Sequence, residues 1–157
     1  MGRGVEYQCE CGYRDMMFYG TGFFTDIYFK DMIKKGEYGK KWKYYMMLHP
    51  FLKFREERVL SVCPSCGFFK NGNDIRFVRG IGILGMLGFG RKEEELVKGI
   101  EEPCDRCGDE MEFFFPKDID YVYQNDPTRR SKVGKIPTLH CPECGKVLKG
   151  EMTLFWD

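Results

Sequence analysis

Apolar positions along this chain fall mostly in short runs of strand length, and one stretch carries them at helical spacing. Within residues 25–48, Trp42, Tyr45 and Met46 stand at i, i+3 and i+4 with Lys40, Lys41 and Lys43 around them. That is the pattern of an amphipathic helix with a lysine-lined solvent face. Thr25 and Asp26 offer N-caps for a first helix to about Lys35, where Gly36 supplies a stop, and a second helix runs from Tyr38 or Gly39 to about Leu48, ended by His49 and Pro50. Elsewhere the runs read as strands: from Val5 toward Cys9, residues 14–19 leading away to a Gly20-Thr21-Gly22 turn, then 59–62, 75–78, 110–115, 120–124, 138–140 and 150–156. Residues 92–100 are helical by composition and stop before Pro103. Residues 125–134 combine Asn, Asp, Pro, Ser and Gly and read as an exposed loop.

All eight cysteines fall into four close pairs, and a glycine follows each: Cys9 and Cys11 before Gly12, Cys63 and Cys66 before Gly67, Cys104 and Cys107 before Gly108, Cys141 and Cys144 before Gly145. Four pairs supply eight thiolates, enough for two tetrahedral Cys₄ metal sites. After the second cysteine the backbone must turn so that its N–H groups face the sulfurs; the turn needs positive φ, which glycine adopts without steric cost. Pro64 and Pro142 pre-set the tight turn after the first cysteine of their pairs.

The Cys-Pro-x-Cys-Gly form at Cys63 and Cys141 resembles the knuckle of zinc ribbons and rubredoxins, and residues 101–157 resemble that pattern throughout. The pair at Cys9 and Cys11 departs from it, with one intervening residue. Neighbouring knuckles make the simplest wiring: Cys9, Cys11, Cys63 and Cys66 on one metal, Cys104, Cys107, Cys141 and Cys144 on the other. Spacing also permits a crossed arrangement, because loop closure grows costlier only slowly with length. The resulting expectation is an α+β fold of two zinc-ribbon-like β units. One spans 1–79 with a helical insertion at about 25–48, a Gly-rich apolar segment and helix occupy 80–100, and the second unit spans 101–157. Two zinc ions are the expected cofactors, with iron the less favoured alternative, since tetrahedral S₄ suits both. A saturated Cys₄ zinc site has no open position for water or substrate.

Composition adds bounds. Hydrophobic residues at 43% and aromatics at 16% supply a core of few, large side chains. The net charge of +1 predicts no polyanion partner overall, although residues 25–58 sum to +4 and residues 101–123 to −6. Met1 to Glu6 contain no signal-peptide core, and the apolar run at 81–89 is too short to span a bilayer. A cytoplasmic protein is expected, where thiols stay reduced and close pairs bind metal rather than form disulfides.

Other signals are weaker. Gly80, Gly82 and Gly85 match G-x-G-x-x-G, but no βαβ unit follows them. His140 precedes Cys141, yet eight cysteines already complete two sites, and with His49 far away no nucleophile–base pair emerges. Catalysis is not expected. The favoured reading is a structural-zinc protein that binds a protein partner or acts as an adaptor. Its first alternative is a nucleic-acid-binding ribbon using Lys40, Lys41 and Lys43 with Arg129, Arg130, Lys132 and Lys135; its second is a rubredoxin-like iron redox protein.

Overall fold

The computed structural model describes residues 2–20, 25–49, 53–79, 95–117 and 128–156. In chain order its elements are β1 (Gly2–Gln8), β2 (Arg14–Gly20), α1 (Thr25–Lys35), α2 (Lys40–Leu48), β3 (Lys53–Val62), β4 (Phe69–Arg79), β5 (Glu95–Gly99), β6 (Glu112–Phe115), β7 (Lys132–Val133) and β8 (Lys149–Trp156). The strands join in one sheet in the order β5-β4-β3-β2-β1-β8, with β6 paired to β3 and β7 to β6. Only the β6–β7 pairing is parallel among those described.

The expected α+β arrangement of two ribbon units with a helical insertion is therefore incorrect: the fold is mostly antiparallel β, with two short helices. The physical reason lies in β3 and β4, which pair continuously from Lys53↔Val78 to Val62↔Phe69. Their apolar pattern is interrupted by charges, so the sequence suggests only their ends. Glu57, Asp74 and Arg76 are buried in these strands. Glu57 and Asp74 are direct cross-strand partners, an arrangement that repels unless cations intervene. Three do. Arg76 lies 3.7 Å from Glu57 and 3.4 Å from Asp74, Arg129 makes a two-pronged contact with Glu57, and Arg130 Nε donates to Asp74 at 2.7 Å. Arg130 also donates to the Ile100 carbonyl at 2.9 Å.

Residues 128–131 of the 125–134 segment are thus a plug rather than an exposed loop, while Lys132 and Gly134 are exposed: Thr128 and Ser131 are buried, and Arg129 and Arg130 stack over Phe115 and Phe113 at 4.7 and 5.0 Å. The helix expected over 92–100 is also corrected. Its described part is β5, which pairs with the outer edge of β4; satisfying that row of backbone groups outweighs local helix propensity. The G-x-G-x-x-G segment, the apolar run at 81–89, the strand expected at 120–124 and the tip of the Gly20-Thr21-Gly22 turn lie outside the described residues.

The two helices form as their pattern predicts. Gly36 takes φ +88 after α1, and the His49 N–H closes α2 onto the Tyr45 carbonyl. They cover one face of β3 and β4, where Ile33 and Trp42 meet Phe54, Ile75 and Phe77. Trp42 stacks on Phe77 at 5.7 Å. A second, larger core collects Val5, Tyr7, Met17 and Tyr19 from β1 and β2 against Leu60 and the phenylalanines of β6. Burial pushes the hydroxyls of Tyr7 and Tyr19 up from their usual range, and they hydrogen-bond each other at 3.2 Å. Among the described residues no helix is long and apolar enough to cross a membrane.

Candidate metal centres

The four cysteine pairs are turns of one design. In three of them the first cysteine's N–H reaches the carbonyl five residues on: Cys63 to Phe68, Cys104 to Asp109 and Cys141 to Lys146, each at 2.8 Å. The glycine N–H returns to the first cysteine's carbonyl at 2.9 to 3.0 Å. The Cys9 pair makes the same closure with one residue fewer, through Cys9 N–H to Tyr13 O and Gly12 N–H to Cys9 O. Gly12, Gly67, Gly108 and Gly145 all have positive φ, between +69 and +98, so the glycine after each pair is there for backbone conformation.

The knuckles meet in two groups, and not as first with second and third with fourth. Cys9, Cys11, Cys141 and Cys144 form one set and Cys63, Cys66, Cys104 and Cys107 the other, with the four sulfurs of each set within 4.8 Å of one another. The expected wiring of Cys9 and Cys11 with Cys63 and Cys66 is replaced by a nested one, first with fourth and second with third. Strand register dictates it. The Cys9 knuckle joins β1 to β2, and Gln8 at the end of β1 pairs with Lys149 at the start of β8, just past the Cys144 knuckle. The Cys63 knuckle joins β3 to β4, and Val62 pairs with Glu112 of β6, just past the Cys107 knuckle. The third and fourth knuckles are each closed by a single bridge, Pro103↔Glu110 and His140↔Val147. Closing 130 positions from Cys11 to Cys141 instead of a shorter loop costs only about 1 kcal/mol more, which a seven-residue β1 ladder readily outweighs.

Sulfur geometry fits a tetrahedral ion. Cys9–Cys144 and Cys63–Cys107 are separated by 3.4 Å, Cys11–Cys141 and Cys66–Cys104 by 3.6 Å, and Cys66–Cys107 by 3.7 Å. A tetrahedron with metal–sulfur bonds of about 2.3 Å has edges of about 3.8 Å. In both sets the first cysteine of one knuckle lies nearest the second of the other, so the knuckles face each other in antiparallel fashion. The second cysteine of every pair is exposed; Cys63, Cys104 and Cys141 are buried and Cys9 half-buried.

Backbone donors prepare these sulfurs for charge. The Cys11 N–H brings the Cys9 thiol down to about 7. Burial works against Cys104, but the N–H groups of Cys107 and Arg106 outweigh it and bring that thiol to about 7 as well. Their partners go the other way. Despite the Tyr13 N–H, the adjoining Cys9 sulfur pushes Cys11 up to about 12, and despite the Asp109 N–H, Cys63 pushes Cys107 up to about 12. Four clustered sulfurs cannot all be thiolates by themselves, whereas a divalent cation at their centre makes that state favourable.

His140 belongs to neither four-sulfur set; its Nδ1 lies 3.0 Å from the Gly145 carbonyl, within the knuckle itself. Lys146 pairs with Glu10 across the first set at 3.1 Å, Arg14 sits 4.0 Å from Glu6, and Arg106 lies over the Phe68 ring at 5.2 Å. Lys70 ties β4 to the second set through Asp105 at 2.8 Å and Glu102 at 3.4 Å. Between the two sets opens a cleft of about 770 Å³, lined by Tyr13, Phe68, Phe69, Lys70, Arg106 and His140 among others. No sequence motif pointed to this cleft, because it exists only once the knuckles are nested. Comparison of the chain with protein-family models, curated proteins and solved structures gives no match.

Proposed function

We propose that this is a structural-zinc protein, without catalytic activity of its own, that binds a protein partner. The observation that carries it is the grouping of all eight sulfurs into two four-sulfur sets at tetrahedral spacing. A metal so held has every position filled by protein, which leaves it no site for substrate or activated water. Zinc suits the reading better than iron, since the sets staple distant parts of the sheet and the fold needs no redox change to hold. The cleft between the sets is the proposed seat of the partner: its lining combines Tyr13, Phe68 and Phe69 with Arg106, the chemistry of protein-contact sites. Zinc in both sets would keep its two walls rigid.

Against the nucleic-acid alternative, Arg129 and Arg130 are committed to Glu57 and Asp74, and Lys132 pairs with Glu112 at 2.7 Å. The test has two parts. Metal analysis of the purified chain should give two zinc ions and a colourless protein; a red product from zinc-supplemented and iron-supplemented cultures alike would displace zinc. A photo-crosslinking residue at exposed Thr138 should capture a protein, whereas the same group at exposed Glu151 on β8 should not. Equal capture at both positions would remove the cleft from the proposal.

A further inference from the structure

The lysines of the helical segment are placed by two opposite rules. α1 carries Lys34 and Lys35 in its last turn, where positive charge complements the helix dipole. α2 instead begins with Lys40, Lys41 and Lys43, has no acidic residue in its first turn, and is capped by Gly39 with no side-chain hydrogen bond. Three cations at a helix N-terminus oppose the dipole and its free N–H groups. Among the described residues Lys41 recovers part of this, over the Trp42 ring at 5.1 Å.

The same helix breaks a second rule. With Trp42 turned into the core, its outer face presents Tyr44, Met47 and Leu48 at 61%, 66% and 76% exposure. Their spacing of i, i+3 and i+4 makes them one continuous stripe. A local cost without a compensating gain among the described residues is the mark of a functional surface. The stripe is a ridge rather than a groove, because α2 lies against the sheet through Trp42 and Phe77.

We propose that this ridge docks on an anionic lipid bilayer, with Tyr44, Met47 and Leu48 entering the interface and Lys40, Lys41 and Lys43 contacting the headgroups. This goes beyond the protein-binding cleft, which lies elsewhere on the molecule and uses none of these residues. Charge complementarity selects an anionic surface: lipid phosphates would neutralise the cations that α2 carries at its wrong end. The apolar stripe selects lipid over polynucleotide, since Met47 and Leu48 have no π face on which a base could stack.

The experiment is cosedimentation of the full, metal-loaded chain with vesicles of phosphatidylcholine alone or with about a quarter phosphatidylglycerol, at low and high salt. Binding to the anionic vesicles only, weakening with salt, is expected. Each Lys→Gln change at Lys40, Lys41 or Lys43 should weaken it about fivefold, and Met47→Glu with Leu48→Glu should weaken it tenfold or more. All five positions are exposed, and circular dichroism with metal content reports whether the variants keep their fold. Absence of vesicle binding overturns the proposal. So does vesicle binding that the two Glu changes leave intact, or single-stranded RNA binding that is tighter and needs only the lysines.

Discussion

The two cysteine sets do the same chemistry at very different distances along the chain. The inner set joins Cys66 to Cys104 across 38 positions, and the outer joins Cys11 to Cys141 across 130. The inner set is packed in a small cluster of its own with Met111 and Phe68, whereas Cys141 belongs to the main core beside Leu139 and Leu148. The inner set ties the β3–β4 hairpin to the chain that leads into β6, over a shorter loop. The outer set binds the first hairpin to the last strand, and so holds the sheet as a whole.

The largest expected effect comes from breaking each set in turn. Cys141→Ser and Cys104→Ser should each lower the metal content from two ions to one, removing part of a binding free energy on the order of 10 kcal/mol that is also folding free energy. The outer variant should lose about 1 kcal/mol more in denaturant unfolding, because it frees the longer loop. Equal losses would show that loop length does not distinguish the sets. Next comes Asp74→Asn, which removes the buried negative charge shared by Arg130 and Arg76 and should cost about 3–5 kcal/mol. Because Arg130 anchors the chain ahead of Cys141, metal release to a chelator should accelerate from the outer set and not from the inner one. Uniform acceleration would mean that the plug at 128–131 supports both.

A smaller effect concerns the middle of β3, away from either set. Burial pushes the Glu56 carboxyl up to about 7, with Arg58 pulling it back, and its Oε2 has no hydrogen-bond partner. Between about 4.5 and about 7 the folded chain therefore holds a proton that the unfolded chain has lost. The resulting stability is full below that window and disappears as pH rises through about 7. Glu56→Gln should stabilise the protein at pH 8 by up to about 3 kcal/mol, with the gain vanishing toward about pH 5. Melting curves across pH, with zinc in excess, give the answer; a gain independent of pH would remove Glu56 as its source. The smallest effect should be the same in both sets. Gly108 and Gly145 have φ +82 and +74, and no heavy atom lies within 4 Å of where a methyl carbon would stand, so alanine at either costs about 1–2 kcal/mol from conformation alone. Unequal losses in urea unfolding would reveal a contact beyond the turn itself.

The eight cysteines, the positive-φ glycines and both helices were legible because each follows from local spacing. The pairing of the knuckles was not. It depends on Gln8 meeting Lys149 and Val62 meeting Glu112, long-range registers that leave no mark near either cysteine. The full lengths of β3 and β4 were hidden for a different reason. Glu56, Glu57, Asp74 and Arg76 look like solvent-facing residues until Arg129 and Arg130, far along the chain, arrive to neutralise the buried acids. Those two arginines read as an exposed basic loop for the same reason, since their partners lie on strands more than fifty positions away.

The nested pairing is best tested on protein loaded with ¹¹³Cd in place of its native metal, by correlating each cadmium resonance with the cysteine β-protons coupled to it. Two resonances are expected, one coupled to Cys9, Cys11, Cys141 and Cys144 and the other to Cys63, Cys66, Cys104 and Cys107. A resonance that couples to Cys11 and Cys63 together, or to Cys107 and Cys141 together, would contradict it.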